Sequence, residues 1–243
     1  MNPTGRRPAV LNRAVFTNRT FDSRALSVLT TLVHRFVEPG HYDVFVRRNG
    51  SVVHRTEVDV SPDHARTQVN VDMANVPESK RACGCHGDAA IELRAGGALV
   101  FYVSAGVGGY SVTVTNRGAR DEKSGLALDN TKGVPAGGLF ALTLVQPGSY
   151  RISAGAKAEA QVAVRLPVRE KGYRPDRVTL ITLREGGFDS KSIEIFSGQS
   201  VAIQCEVGAD IRAELVKEDG GAPPIDRKRA TFRRPAPPGR DAK

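Results

Sequence analysis

One phrase occurs twice in the chain. Val37-Glu38-Pro39-Gly40-His41-Tyr42 and Val145-Gln146-Pro147-Gly148-Ser149-Tyr150 each read as a turn that feeds a strand. Proline presets φ at the first corner, glycine supplies positive φ at the second, and tyrosine opens an alternating run. A second phrase also recurs. Phe21-Asp22-Ser23-Arg24-Ala25-Leu26-Ser27-Val28 matches Phe188-Asp189-Ser190-Lys191-Ser192-Ile193-Glu194-Ile195 in chemical type. Together these echoes predict two related all-β modules.

The strands can be read from alternation. Ala25 to Val37 is apolar and rich in β-branched residues, which predicts one or two buried strands. Tyr42, Val44 and Val46 alternate with Asp43, Phe45 and Arg47 up to Asn49-Gly50, the strongest short hairpin signal. The return strand puts Val52, His54, Thr56, Val58 and Val60 on one face and Arg55, Glu57 and Asp59 on the other. Ser61-Pro62-Asp63 reads as a cap with at most one helical turn. Further strands are expected over Thr67–Met73, around Gly96-Gly97 as a second hairpin of Ile91 and Leu93 with Leu99–Val103, and at Tyr110, Val112 and Val114. The second module reads as strands at Leu139–Val145, Tyr150–Ala154, Ala158–Leu166, Arg177–Leu183, Ser192–Phe196, Val201–Val207 and Ile211–Val216.

Many short strands separated by turn signals predict an all-β fold with two β-sandwich modules in tandem. The expected organisation is an extended basic arm over 1–20, a first module over 21–115, and a polar, glycine-rich linker over 116–137. Asp121 to Leu128 could add a short helix there. The second module is expected over 138–217 and a basic, proline- and arginine-rich tail over 218–243. The modules are expected to be separable at the linker. The Pro-Gly-x-Tyr entry into a strand resembles that of immunoglobulin-like and carboxypeptidase-regulatory-like sandwiches. The resemblance covers only the turn and the strand it feeds. The Cys…Trp…Cys hallmark of immunoglobulin domains is missing, because the chain has no tryptophan. It implies a fold class and no activity.

Charge is placed at the ends. The net charge is +9, yet residues 1–24 hold five arginines against one aspartate, and residues 217–243 hold eight lysines and arginines against four acidic residues. The body between them is close to neutral. Such asymmetry points to binding by the arms. Arg6, Arg7, Arg227, Arg229, Arg233 and Arg234 are the candidate partner-binding residues, suited by their planar forks to carboxylate or phosphate. Few aromatics interleave with them, which argues against a platform that stacks single-stranded bases.

Chemical motifs are sparse. Cys83-Gly84-Cys85-His86 is the sharpest cluster, and thiolates with imidazole suit zinc or copper, with His64 or Cys205 as further ligands. One residue between the cysteines, and no second pair, fits a structural zinc site poorly, so a reduced solvent-facing loop is the plainer reading. Gly106-Val107-Gly108-Gly109 is followed by a strand and not by the helix a phosphate loop needs, so it reads as a hairpin turn. His54 lies on an apolar face, and Tyr42, Tyr110 and Tyr150 read as corner residues with packed rings and hydroxyls turned to backbone. No nucleophile-elbow, zincin or Walker pattern occurs.

These readings predict a non-enzymatic structural or accessory subunit of a larger assembly, such as a phage or virus head or tail. It would be anchored by its basic arms to other protein subunits, or to further copies of itself. A metal-binding module using Cys83, Cys85 and His86 is the alternative, and nucleic-acid contact through the arms is a third reading. No cofactor is expected beyond that zinc or copper. The lack of an apolar leader in residues 1–24, and of any apolar run of about 18 residues, predicts a chain that is cytoplasmic, or part of a particle assembled in the cytoplasm, and does not engage a membrane.

Overall fold

Alternating apolar and polar residues lay out two runs of strands in the computed structural model, which describes residues 12–75, 90–119, 125–156, 158–167, 173–174 and 176–219. A single-turn helix, α1 (Ala14–Thr17), comes first. The first run is β1 (Thr20–Asp22), β2 (Thr30–Arg35), β3 (Gly40–Arg48), β4 (Ser51–Ser61), β5 (Gln68–Asp72), β6 (Ile91–Arg94), β7 (Ala98–Tyr102) and β8 (Tyr110–Asn116). The second is β9 (Leu126–Asp129), β10 (Leu139–Thr143), β11 (Gly148–Ala154), β12 (Ala158–Arg165), β13 (Val178–Arg184), β14 (Gly187–Phe188), β15 (Ser192–Phe196), β16 (Ser200–Cys205) and β17 (Ile211–Glu218). A short 3-10 turn, Asn130–Lys132, follows β9. The fold is all-β.

The strands form three sheets. A seven-stranded sheet runs β14-β13-β16-β10-β2-β7-β5, and two five-stranded sheets run β6-β4-β3-β8-β9 and β1-β17-β11-β12-β15. The same pairing plan is used twice. β3 pairs antiparallel with β4 and β8, as β11 does with β12 and β17. β4 pairs parallel with β6, as β12 does with β15, and β5 pairs parallel with β7, as β13 does with β16. In each run, then, two arches leave a five-stranded sheet and enter the seven-stranded one. The arches stack in parallel register, like two rungs of a solenoid.

The runs meet where β2 pairs antiparallel with β10. When Tyr42 is aligned on Tyr150, Leu32 falls on Phe140. These two residues pair with each other across the ladder. A local two-fold axis therefore passes through that pair, perpendicular to the sheet. The first strand of each run is exchanged about the axis: β1 pairs with β17 and β9 pairs with β8. Both runs contribute to one buried apolar cluster, with Leu32, Phe101, Phe140, Val44, Val114, Tyr150 and Ile152 inside it.

The Asn49-Gly50 turn has φ of 50° and 85°, the two positive values a type I′ turn needs. Tyr42 and Tyr150 close their corners alike. Their hydroxyls donate to the carbonyls of Glu38 at 2.9 Å and Gln146 at 3.2 Å, respectively. Every second-module strand read from the sequence is present.

Several expectations are corrected. Of the arm expected over 1–20, Ala14–Thr17 is helix and Thr20 begins β1, while residues 1–11 lie outside the described residues. Gly96-Gly97 does not close a hairpin, since β6 and β7 belong to different sheets. Gly97 is needed there because a Cβ would sit 2.7 Å from the Arg94 carbonyl oxygen. The 106–109 loop likewise joins β7 to a strand of another sheet. A register shift between Val46 and Arg47 displaces Val52 from the apolar face and leaves it exposed. The stretch 116–137, read as a linker, carries β9, so Leu126–Asp129 is strand. Phe21 and Phe188 lie in β1 and β14, which are not equivalent in the repeated plan, so the second recurring phrase is chemical likeness alone.

Candidate interaction surface

Alternation along a strand sends successive side chains to opposite faces of a sheet. In the seven-stranded sheet one face is core: Thr30, Leu32 and His34 of β2, Phe140 and Leu142 of β10, and Leu99 and Phe101 of β7 are buried. The register also defines the other face. One row across it is Leu180, Ala202, Ala141, Thr31, Tyr102 and Asp72. The next is Thr182, Gln204, Leu139, Val33, Val100 and Asn70. Antiparallel sheets with one solvated face normally turn polar residues outward. Here the middle of the outward face holds Val33, Leu139, Ala141, Val100 and Ala202, and charge sits at its margins, on Arg35, Asp72 and the Arg184–Glu206 pair. Val33, Leu139, Ala141 and Val100 are half-buried, while Val178 and Leu180 are 57% exposed. Ala202 is small enough to be covered by its strand neighbours, yet stands outside the core cluster. Thr143 and Ser200 hydroxyls pair at 2.7 Å on this face, which removes two polar groups from it.

The outward face of the β6-β4-β3-β8-β9 sheet is the chemical opposite. Arg117 donates through Nε and Nη2 to both oxygens of Asp43, at 2.8 and 2.6 Å, and also reaches Glu57. Arg55 donates to the same Asp43 at 3.1 Å. Hydrogen bonds from Arg117 hold the Asp43 carboxyl below its ordinary range, against the opposing effect of burial. Arg47 and Arg55 lie 5.6 and 5.4 Å from the Phe45 ring centre. Asp59 bridges two histidines, His64 at 2.9 Å and His41 at 3.2 Å. A cleft of about 940 Å³ opens beside this network, lined by Glu38, Gly40, His41, Glu57, Asn116 and Arg117. Each ionised group in the network already has a partner, so the arrangement clamps three strands together. It presents no activated nucleophile.

Cys83, Cys85 and His86 lie outside the described residues, as do Arg6, Arg7, Arg227, Arg229, Arg233 and Arg234. Of the proposed further ligands, His64 is turned to Asp59. Cys205 is buried in β16, and burial pushes its thiol up to about 11, the opposite of what a thiolate ligand needs. Among the described residues no three His, Cys, Asp or Glu side chains gather as a metal site. No helix among them is long and apolar enough to cross a membrane. Of the basic arms, Arg19 is described and pairs with Glu218.

Sequence reasoning missed the apolar outward face. Its signal was present, because Leu139 to Val145 is nearly continuous in apolar residues and so offers an apolar side to both faces. No family model, no curated protein and no solved structure matches the chain.

Proposed function

We propose that the protein is a non-enzymatic structural subunit that docks onto other protein through the outward face of its seven-stranded sheet. The observation that supports this is the uncharged, mostly apolar centre of that face in a chain whose other described sheet surfaces carry ion pairs. A patch of this kind on a folded chain marks an interaction site more often than chance would place it there. On this reading each run of strands is one β-sandwich module, and the two share the seven-stranded sheet as a common layer. The Tyr42 and Tyr150 corners, each with its hydroxyl on a carbonyl four residues upstream, are what favours the immunoglobulin-like comparison.

The test is placement of charge on the face. Val33→Glu and Ala141→Glu put carboxylates at its centre without touching the core side. With thermal unfolding unchanged, each variant should move from an assembled to a free fraction in gradient sedimentation of cell extracts. Full incorporation of both variants would refute docking through this face.

A further inference from the structure

We infer that what covers the seven-stranded face is a second copy of the same chain, packed face to face about a two-fold axis that runs parallel to the sheet, midway between the two faces. The inference rests on the docking reading above and names its partner.

Four observations carry it. The first is symmetry. The local axis through Leu32 and Phe140 relates β2, β7 and β5 to β10, β16 and β13. The two halves of the face therefore share one strand layout though not the same side chains, since Thr31 falls on Leu139 and Val33 on Ala141, and the face presents a similar backbone contour to a copy in either of two orientations. The second is charge. The net charge of +9 sits at the two ends of the chain and the body between them is close to neutral, so long-range repulsion does not oppose pairing of the body. The two central rows carry only Asp72, at one end, so two such faces meet without repulsion.

The third is area. Seven strands spaced about 4.8 Å apart, with about five residues rising about 3.3 Å each, give a face of roughly 34 by 17 Å. Two such faces bury on the order of 1,100 Å², within the range of specific weak dimers. The fourth is the chemistry of the alternatives within the chain. Segments 1–11, 76–89 and 220–243 carry Arg6 and Arg7, then Glu78, Lys80, Arg81 and Asp88, then seven lysines and arginines. Covering an uncharged face with them would strip water from those charges without supplying partners. The face of a second copy carries no such penalty.

The experiment uses the full chain. Sedimentation equilibrium between about 1 and 100 μM should show a reversible dimer in the weak-to-moderate affinity range. Ala141→Glu, with an unchanged circular dichroism melt, should weaken it by at least about 100-fold, because a carboxylate is buried without a partner. Ala141→Lys should do the same alone, and an equimolar mixture of the two variants should recover association, since the positions face each other near the axis. Failure of the mixture to associate overturns the inference. A wild-type chain monomeric throughout the range also overturns it. In that case the docking reading stands if Ala141→Glu still moves the chain to the free fraction in extracts, and the partner is another protein. A dimer that persists undiminished in Ala141→Glu and Leu180→Glu uses a different surface and refutes the inference, while the docking reading is then decided by the extract fractionation alone.

Discussion

Asn130 donates through Nδ2 to the backbone carbonyl of Ser23 at 2.7 Å, and both side chains are fully buried. They do matching work in opposite halves of the molecule. Asn130 Oδ1 accepts from the Val112 N–H at 2.6 Å, where β8 begins to pair. Ser23 Oγ accepts from the Ile211 N–H at 3.0 Å, at the start of β17. Each residue ends an exchanged strand, so the contact ties the two crossovers together at the local two-fold. Asn130→Ala leaves a buried N–H and a buried C=O unpaired, and should destabilise by about 2–5 kcal/mol. Ser23→Ala removes only one bond and should cost about 1–3 kcal/mol. Urea titrations at constant m-value check both. A loss below about 1 kcal/mol for Asn130→Ala would mean that the junction carries no stability.

His34 sets an acid limit on stability. It lies on the core face of β2 with its ring edge-on to Phe36 at 4.7 Å, and burial lowers its pKa from the ordinary 6.5 to about 4. Because the folded value is the lower one, the unfolded chain takes up the proton first. The neutral imidazole's contribution is complete above about pH 6.5, falls as the pH drops from 6.5 towards 4, and is fully lost below that. A shift of this size corresponds to about 3 kcal/mol. His34→Leu should remove the slope between pH 6.5 and 4. Asp43 acts in a lower window, since its carboxyl is held down by Arg117 and its contribution is lost only as the pH falls through that lowered value. Equal slopes for wild type and His34→Leu above pH 4.5 would contradict this assignment.

The repeated phrase is not equally tolerant in its two copies. Gly40 and Gly148 have φ of 150° and 146°, so both resist any side chain. A Cβ at Gly40 would meet nothing closer than 3.7 Å, whereas one at Gly148 would run into the Lys217 carbonyl oxygen of β17. Gly40→Ala should therefore cost about 1–2 kcal/mol of backbone strain, and Gly148→Ala at least about twice that. Gly50→Val offers a control, because Gly50 has φ of 85° and open space around it. Its cost should be conformational alone, about 1–3 kcal/mol. Thermal melts of the three variants rank them, and a Gly148→Ala chain as stable as Gly40→Ala would refute the steric argument.

What the sequence disclosed follows from how local each signal is. The Asn49-Gly50 hairpin was legible because its turn chemistry lies within two residues. Seven strands between Leu139 and Val216 were legible because each runs for five residues or more between turn signals, whereas β14, two residues long, was not. The sheet each strand joins was not legible, because Gly96-Gly97 looks the same whether the chain returns beside itself or crosses to another layer. β1 and β9 are three and four residues long and too short to show a period. Their pairing is set by the opposite half of the chain. Phe21 and Phe188 misled because matching side chains carry no information about strand order. The outward face was missed for a related reason: Leu139 and Ala141 are as apolar as Phe140 and Leu142, and only the register tells the faces apart.

The exchange of β1 and β9 carries the last prediction. If the two halves were beads on a linker, cutting between Ala119 and Gly125 would release two folded fragments. In this architecture β17 takes its edge partner β1 from the first half, β8 takes β9 from the second, and β10 pairs with β2. A fragment beginning at Gly125 lacks β1 and exposes the β10 ladder as a raw edge, which is an aggregation hazard. It also loses Ser23, which satisfies the Ile211 N–H. The intact chain should therefore unfold in one cooperative transition by calorimetry, with the calorimetric and van't Hoff enthalpies equal. A chain nicked between Ala119 and Gly125 should still elute as one species under native conditions and separate only in denaturant. Residues 125–219 expressed alone should be insoluble or lack a cooperative melt. Two resolved transitions in the intact chain, or a soluble 125–219 fragment with its own sharp melt, would show that the halves are independent and that the exchanged strands are incidental to folding.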